Sequence, residues 1–451
     1  MAHIVVGLGF GDEGKGGIVD YLVREHEAKV VVRYNGGGQA GHNVVLPESP
    51  FRSHVFSQWG SGTLAGAKTY LSRFMVVHPL AMLSEAEKLV SMGIQKPLEL
   101  LLVDERALVT TAYHQALNRL RELSRKGRHG SCGAGVGETV AGSLDADAGP
   151  PLIVKDLSDQ KTILAKLMDY RARKLTEAKE LAAEASWSSP NQASILVLNE
   201  LKIFSDESLI EPQASLLHEI GQRWGKIVRA GEENSVLSEG TIVFEGAQGV
   251  LLDEWRGFHP YTTWSTTTSK NAKTILAESG WSGEADTVGV LRAFSTRHGA
   301  GPFPSEDASL EACYGHGTEH NTLGDWQGSF RYGHFDSRLT NYALEVDGGV
   351  DFLALTCVDR VKQYEKWKMV TAYKTDSYDG GLTYLPVLRG TDLRPQEFLT
   401  GVLMGAKPLT YTSLKDPSPA ALVEAIETAS GKKVRILSEG PTWKDKSRWK
   451  R

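Results

Sequence analysis

Ile4-Val5-Val6-Gly7-Leu8-Gly9-Phe10-Gly11-Asp12-Glu13-Gly14-Lys15-Gly16 stands almost at the start of the chain, and helix-like Ile18–Arg24 follows it. An apolar strand, a glycine-rich turn and a helix start together offer a phosphate backbone N–H groups and the positive end of a helix dipole. Gly9 to Lys15 meets the spacing G-x4-G-K, but Gly16 stands where a P-loop carries the Ser or Thr that holds magnesium. Asp12 is the odd member of the loop. A carboxylate beside incoming phosphates is costly unless it binds their cation or removes a proton.

Outward from this loop, short apolar runs alternate with helical patterns. Strands are expected at Ile4–Leu8, Lys29–Arg33, Thr241–Phe244, Val288–Leu291, Asp351–Thr356, Lys368–Tyr373 and Val434–Leu437, several of them apolar on both faces. Helices are expected at Ser84–Ser91, Thr111–Lys126, Gln160–Ser186, Glu207–Arg229, Lys270–Ala277 and Pro419–Ser430. The alternation gives an α/β fold with a large central, mostly parallel sheet flanked by helices. No linker divides the chain and no repeat occurs, so residues 1–451 read as a single domain. The charged, glycine-poor stretch at about 160–230 reads as a helical surface insertion, with spaced pairs such as Arg173–Glu177 and Lys174–Glu177. Trp255, Trp264, Trp326 and Trp443 lie near glycine-containing loops, where they serve either core or the wall of a base cleft.

Composition narrows the class. The 451 residues are 41% hydrophobic and 23% charged with a formal net charge of -5, which argues against a nucleic-acid surface. No apolar stretch is long enough to span a bilayer, and Met1–Gly7 enters a strand without a basic leader, so no membrane partner or signal peptide is expected. Cys132, Cys313 and Cys357 are widely spaced, which fits a reducing cytoplasm and offers neither a zinc site nor a disulfide framework.

A second loop, Arg33-Tyr34-Asn35-Gly36-Gly37-Gly38-Gln39-Ala40-Gly41-His42-Asn43, follows the second strand. Its glycines permit close backbone approach, and His42 is placed to give a proton or hydrogen bond to a phosphate oxygen. Three further stretches complete a set: Phe244-Glu245-Gly246-Ala247-Gln248-Gly249, Thr296-Arg297-His298-Gly299-Ala300-Gly301-Pro302-Phe303-Pro304 and Leu437-Ser438-Glu439-Gly440-Pro441. Together and in this order, from residue 4 to residue 441, they resemble the adenylosuccinate synthetase family.

That resemblance implies a C–N ligase that joins aspartate to the 6-position of IMP, driven by GTP (ATP being possible) and magnesium. It implies that Asp12 accepts the N1 proton of the lactam and that O6 takes the γ-phosphoryl group, with Lys15, His42 and magnesium neutralising charge. Phosphate then leaves as the amine attacks. By the same resemblance Asp12 and the Gly41 carbonyl hold magnesium, and Gln248 orients the reacting base. Gly11, Glu13, Gly14, Gly16 and Gly41 receive the triphosphate, while Asp359, Ser438 and Gly440 form the guanine pocket. Gln39, Ser131, Cys132, Thr263, Arg297 and Arg331 face the other substrates. A homodimer and a cytoplasmic location are implied too. Read alone, Gln248 is also a loop hydrogen-bonder and Asp359 a surface partner for Arg360 or Lys362.

The substrate-facing stretches depart from the family pattern. Its Gly-Thr-Thr-Gly loop is Gly130-Ser131-Cys132-Gly133, and no arginine lies between Arg128 and Arg171 to match the one a neighbouring subunit supplies. Gln39 replaces an asparagine, Asn43 a threonine and Cys357 a lysine. The arginine-rich aspartate clamp is Gly324-Asp325-Trp326-Gln327-Gly328-Ser329-Phe330-Arg331-Tyr332-Gly333, with Arg331 alone retained. Alternatives therefore stand beside IMP and aspartate: another lactam such as dGMP or a specialised nucleoside, another amine donor, or a non-catalytic nucleotide-binding regulator. Viral relatives acting on deoxyguanylate carry serine in place of the loop aspartate, whereas Asp12 is present here. A P-loop kinase or GTPase is disfavoured by Gly16.

Overall fold

The computed structural model describes residues 1–48, 52–125, 131–188, 193–315, 328–362, 366–376 and 378–450. Ten strands form its main sheet: β1 (Ala2–Gly7), β2 (Val30–Arg33), β3 (Lys68–Leu71), β4 (Leu101–Asp104), β5 (Lys226–Val228), β6 (Ile242–Glu245), β7 (Ala285–Arg292), β8 (Phe352–Thr356), β9 (Val434–Ser438) and β10 (Lys446–Arg448). Their spatial order is β10-β9-β8-β7-β1-β6-β2-β3-β4-β5. Every neighbouring pair is parallel except β9 with β10.

The period of two explains the continuous apolar runs. Val5, Val31 and Val243 point into one core cluster with Ile18, Val19 and Leu22 of helix α1 (Lys15–Glu25). Their neighbours Ile4, Val30, Val32 and Phe244 point into another, against Ala272, Ile275 and Leu276 of the helix Lys270–Glu278. A strand covered on both faces needs apolar residues at every position, and each fully buried Val or Ile contributes about 1.5–3 kcal/mol.

Strand order also places the site. The four motif-bearing strands β9, β1, β6 and β2, with β8 and β7, are contiguous in the sheet, and in a parallel array their carboxyl ends share one edge. In open α/β sheets that edge is where ligands bind.

Several expectations change. Lys368–Tyr373 lies within the strand Trp367–Thr375, which belongs to a separate four-stranded sheet with Phe335–Asp336, Tyr378–Leu382 and Lys407–Leu414. Glu207–Arg229 is not one helix: helix Ile210–Gly221 is followed by Lys226–Val228, the edge strand β5. β3 and β4 had no counterpart among the expected strands. The helices Gln160–Ser188, Ala193–Ser205 and Ile210–Gly221 bury Ile163, Leu167, Phe204, Leu217 and Ile220 in the same cluster as Leu117 and Leu120 of helix Ala112–Ser124. This stretch is therefore core-forming on one face. On the other, Lys174 pairs with Glu177 at 3.0 Å as expected, whereas Arg173 pairs with Asp169 at 2.9 Å.

Candidate active site

β1 delivers the chain into the turn Leu8–Gly14, and Gly14 starts α1 in the left-handed region (φ 86°) with no side-chain cap. The first N–H groups of α1 thus lack a capping side chain, as an anion site requires. Glu13 folds back over the turn. Its Oε1 accepts from the Gly11 N–H at 2.7 Å and its Oε2 from the Lys15 ammonium at 2.9 Å. Lys15 also donates to the Gly11 carbonyl at 2.8 Å. A Cβ on Gly7 or Gly9 would come within 2.3 or 2.7 Å of that folded carboxylate, so a larger residue at either position would push Glu13 off the turn. An arriving phosphate would compete with Glu13 for the same two donors.

Two neighbouring strands hold this loop from behind. Thr356 at the end of β8 donates to the Glu13 carbonyl at 2.7 Å, and Arg292 at the end of β7 donates to the Asp12 carbonyl. The half-buried Asp12 carboxyl has a raised pKa. Burial is the largest cause, opposed by Arg292, reinforced by Glu13, and opposed again by Lys15 and His298. A carboxyl displaced towards neutrality is a better proton acceptor than a free aspartate.

The second loop closes over the first. A Cβ at position 16 would lie 2.9 Å from the His42 Cβ and 3.0 Å from the Ser61 hydroxyl oxygen, which explains glycine there: a Ser or Thr would collide with the histidine. His42 Nδ1 lies 2.5 Å from Glu245 Oε1 at the end of β6. Glu245 also accepts from the Ser61 N–H at 2.9 Å and from the Ser61 hydroxyl. Burial would raise the Glu245 carboxyl, but His42, Arg33 and Ser61 bring it down to about 2. Burial drives His42 downward and outweighs the pull of Glu245. A fixed carboxylate therefore holds Nδ1 and leaves Nε2 for a second partner.

Gln248 sits where these loops meet, itself in the left-handed region (φ 57°). A Cβ on Gly11 would lie 3.3 Å from its Cα, and one on Gly36 would lie 3.2 Å from its Oε1. Asn35 ties the second loop to this turn by a reciprocal pair with Ala247, 2.7 Å from its N–H and 3.0 Å to its carbonyl. The amide oxygens of Gln248 and Gln39 are buried without a hydrogen-bond partner. Such atoms call for a donor from outside the chain. Gly41 adjoins His42, and its carbonyl and the Asp12 carboxylate belong to the two facing loops.

On the far side, the Ser438 hydroxyl donates to the Gly440 carbonyl at 3.2 Å, closing the turn beyond β9, while half-buried Asp359 follows β8. Ser131 hydrogen-bonds Asn118 at 3.1 Å, and burial raises the Cys132 thiol. Thr263 is half-buried, and its N–H donates to the Leu252 carbonyl at 2.9 Å. Trp255 and Trp264 are exposed, Trp264 beside Gly137, while Trp443 lies under Arg24 at 5.3 Å. Gly130, Gly324–Gln327 and with them Trp326 lie outside the described residues.

Two expected substrate ligands have partners within the chain. Arg297 is 1% exposed and donates to the carbonyls of Ala300 (3.0 Å) and Pro302 (2.8 Å), its guanidinium over the Phe10 ring. Arg331 donates to the carbonyls of Gly299 (2.8 Å) and Gly301 (2.9 Å) and pairs with Glu306 at 2.8 Å. Both guanidiniums hold the turn 299–302 together. Conversely Glu245, Ser61, Arg292 and Thr356 serve the site without having been singled out. Glu245 alone carried a signal, as the charged last residue of a buried strand in a quoted motif.

A family model described as adenylosuccinate synthetase matches residues 4–446. An adenylosuccinate synthetase of Thermoplasma volcanium is 32% identical over 461 residues, covering 99% of this chain and 96% of its own. The fully ligated adenylosuccinate synthetase from Plasmodium falciparum superposes with a TM-score of 0.71 at 19% identity, covering 99% of both chains. A cyanophage S-2L succinoaminodeoxyadenylate synthetase, bound to dGMP and to dATP as an energy donor, superposes with a TM-score of 0.59 at 18% identity. That likeness covers 99% of this chain and 95% of the phage protein.

Proposed function

The chain belongs to the adenylosuccinate synthetase family of C–N bond-forming ligases, and from that premise we propose that it joins aspartate to the 6-position of IMP at the expense of GTP. The observation that carries this reading is the Asp12 carboxyl, raised in proton affinity inside a phosphate loop over which the His42–Glu245 pair closes at Gly16. A protein that only bound nucleotide would need neither a base nor an oriented imidazole, which disfavours a regulatory role.

In this reading Asp12 takes the N1 proton of the lactam, and the freed electron pair makes O6 nucleophilic. O6 attacks the γ-phosphorus, and the bond to the β-phosphate oxygen breaks. Lys15, released from Glu13, and His42 through Nε2 meet the charge on the transferring group. The amine of aspartate then bonds to C6 as the C6–O bond breaks, and phosphate departs. Gln248 orients the base by donating its amide N–H to a purine acceptor, since the one N–H of the hypoxanthine ring is the proton that Asp12 takes.

Magnesium fits the donor set. Among the described residues no cluster of three or more His, Cys, Asp or Glu could hold a metal alone. One carboxylate with substrate phosphates is how magnesium is commonly bound, and Asp12 with the Gly41 carbonyl would supply the protein's share. When bound, it would neutralise charge on the β- and γ-phosphates. No described helix is long and apolar enough to cross a membrane. A cytoplasmic homodimer is part of the proposal, supported by the family resemblance.

A second reading, another lactam or amine donor, is favoured by the commitment of Arg297 and Arg331 to backbone carbonyls, which leaves neither guanidinium aimed at a dicarboxylate. Purified protein with magnesium, GTP or ATP, aspartate and a panel of IMP, GMP, dGMP and their nucleosides separates the two. Phosphate release with an IMP–aspartate adduct by mass spectrometry is the expected result. Tight GTP binding with no turnover of IMP and aspartate would refute the first reading, and turnover of another pair would establish the second.

A further inference from the structure

Lys446 lies on the edge strand β10, yet it is only 8% exposed. Its ammonium donates to the carbonyls of Thr442 at 2.9 Å and Gly440 at 3.2 Å, the latter part of the turn that follows β9. Gly17, in the first turn of α1, makes room for it. A Cβ there would lie 3.1 Å from the lysine Cε and 3.4 Å from Nζ. Asp445, Asp20, Cys357 and Asp359 stand within electrostatic reach and hold the ammonium up against burial, which is the larger influence and lowers its pKa. Two carbonyls use two of its three N–H bonds, and among the described residues no third acceptor engages it. A lysine carried this far from water is costly unless its charge and donors are used.

We propose that Lys446 is a specificity-determining residue of the donor-nucleotide pocket, its third N–H and its charge favouring guanine, with an oxygen at C6, over adenine, with an amino group there. The inference rests on the reading of Asp359, Ser438 and Gly440 as the base pocket. Within that pocket Asp359 is an acceptor and Lys446 a donor. Guanine presents N–H donors on N1 and N2 beside the O6 acceptor, so it satisfies both. Adenine presents an amino group to the ammonium, which stays unpaired, and a buried site built to hydrogen-bond rejects a ligand that leaves it so.

Equilibrium binding of GDP, IDP and ADP to the full chain by calorimetry tests this without a known lactam. The native protein is expected to bind GDP and IDP at least about tenfold more tightly than ADP. Lys446→Met should weaken GDP and IDP by about tenfold while leaving ADP within about twofold. Lys446→Gln, which keeps an N–H for Gly440, should move in the same direction by less, and it decides the matter if the Met variant fails to fold. Native protein that binds ADP as well as GDP overturns the proposal outright. Asp359→Asn separates the remaining cases. If it weakens GDP while both Lys446 variants keep the native ratio, Lys446 has no such role and the base pocket stands. If no variant changes the ratio, the pocket has been misplaced and the proposal falls with it.

Discussion

Two loop systems at the same sheet edge use their charged side chains in opposite ways. Around β1, β2 and β6, Glu13 with Lys15 and His42 with Glu245 form short pairs that set reactive groups against one another. Around the strands Ser295–His298 and Phe330–Gly333, Arg297 and Arg331 spend their donors on the backbone of one turn. In the proposed reading the first system is preorganised for phosphoryl chemistry, while the second is a frame whose cations already have partners. Chemistry and recognition are thus separable here, and substitutions should reveal the division.

Asp12→Asn should show the largest effect. It keeps the shape and loses both the base and the carboxylate offered to magnesium, so kcat should fall by about 10²-fold or more in a phosphate-release assay. Retained turnover would remove the basis for calling the first system catalytic. Glu245→Gln comes next, with a loss in kcat of about tenfold. It also has a sign in pH. The carboxylate raises the proton affinity of His42, and the protonated form meets the phosphoryl charge, so its removal should move the alkaline limb of the rate profile to lower pH.

Arg331→Gln probes the other system. It removes hydrogen bonds to Gly299 and Gly301, so stability should fall by about 2 kcal/mol in thermal or urea unfolding, with KM for the amine donor moving less than about threefold. A large rise in KM at unchanged stability would return Arg331 to the substrate. The smallest effect concerns Asp336, which accepts from the N–H groups of Arg338 and Leu339 at 3.0 and 3.1 Å at the start of the following helix. Burial raises its carboxyl to about 6, against the opposing pull of the Tyr373 hydroxyl. The folded state then binds a proton that the unfolded state has released, so stability falls as pH rises from about 4 to about 6 and levels off above. Asp336→Asn keeps the cap and should flatten that slope by on the order of 1 kcal/mol, read as melting temperature against pH.

How legible these regions were in the sequence follows the same division. The runs at Ile4, Val30, Thr241, Val288 and Val434 announced the parallel sheet because both faces of each strand are buried. Leu101–Asp104 and Lys226–Val228 escaped notice, one a short run after Pro97–Leu100, the other an edge strand with two exposed residues. Asp12, Lys15 and His42 stood out because charged residues inside glycine turns have few structural uses. Arg297 did not reveal its role, since only the folded turn brings three carbonyls to one guanidinium. Lys446 gave no local signal at all. Its meaning comes from Gly17, more than four hundred residues earlier, and no pattern along the chain joins the two.

The strand order has a consequence for the chain as it is made. β1 leaves the ribosome well before its two neighbours in the sheet, β6 and β7, and the supports of its loop at Gln248, Arg292 and Thr356 emerge long afterwards. Non-local pairing of this kind is slow to form and leaves apolar edges waiting. During translation the apolar segment Ile4–Val6 therefore waits unpaired until β6 and β7 have emerged. β10 follows every other strand of the main sheet and carries Lys446 in against Gly17, so the proposed base pocket is completed only once synthesis has passed that strand.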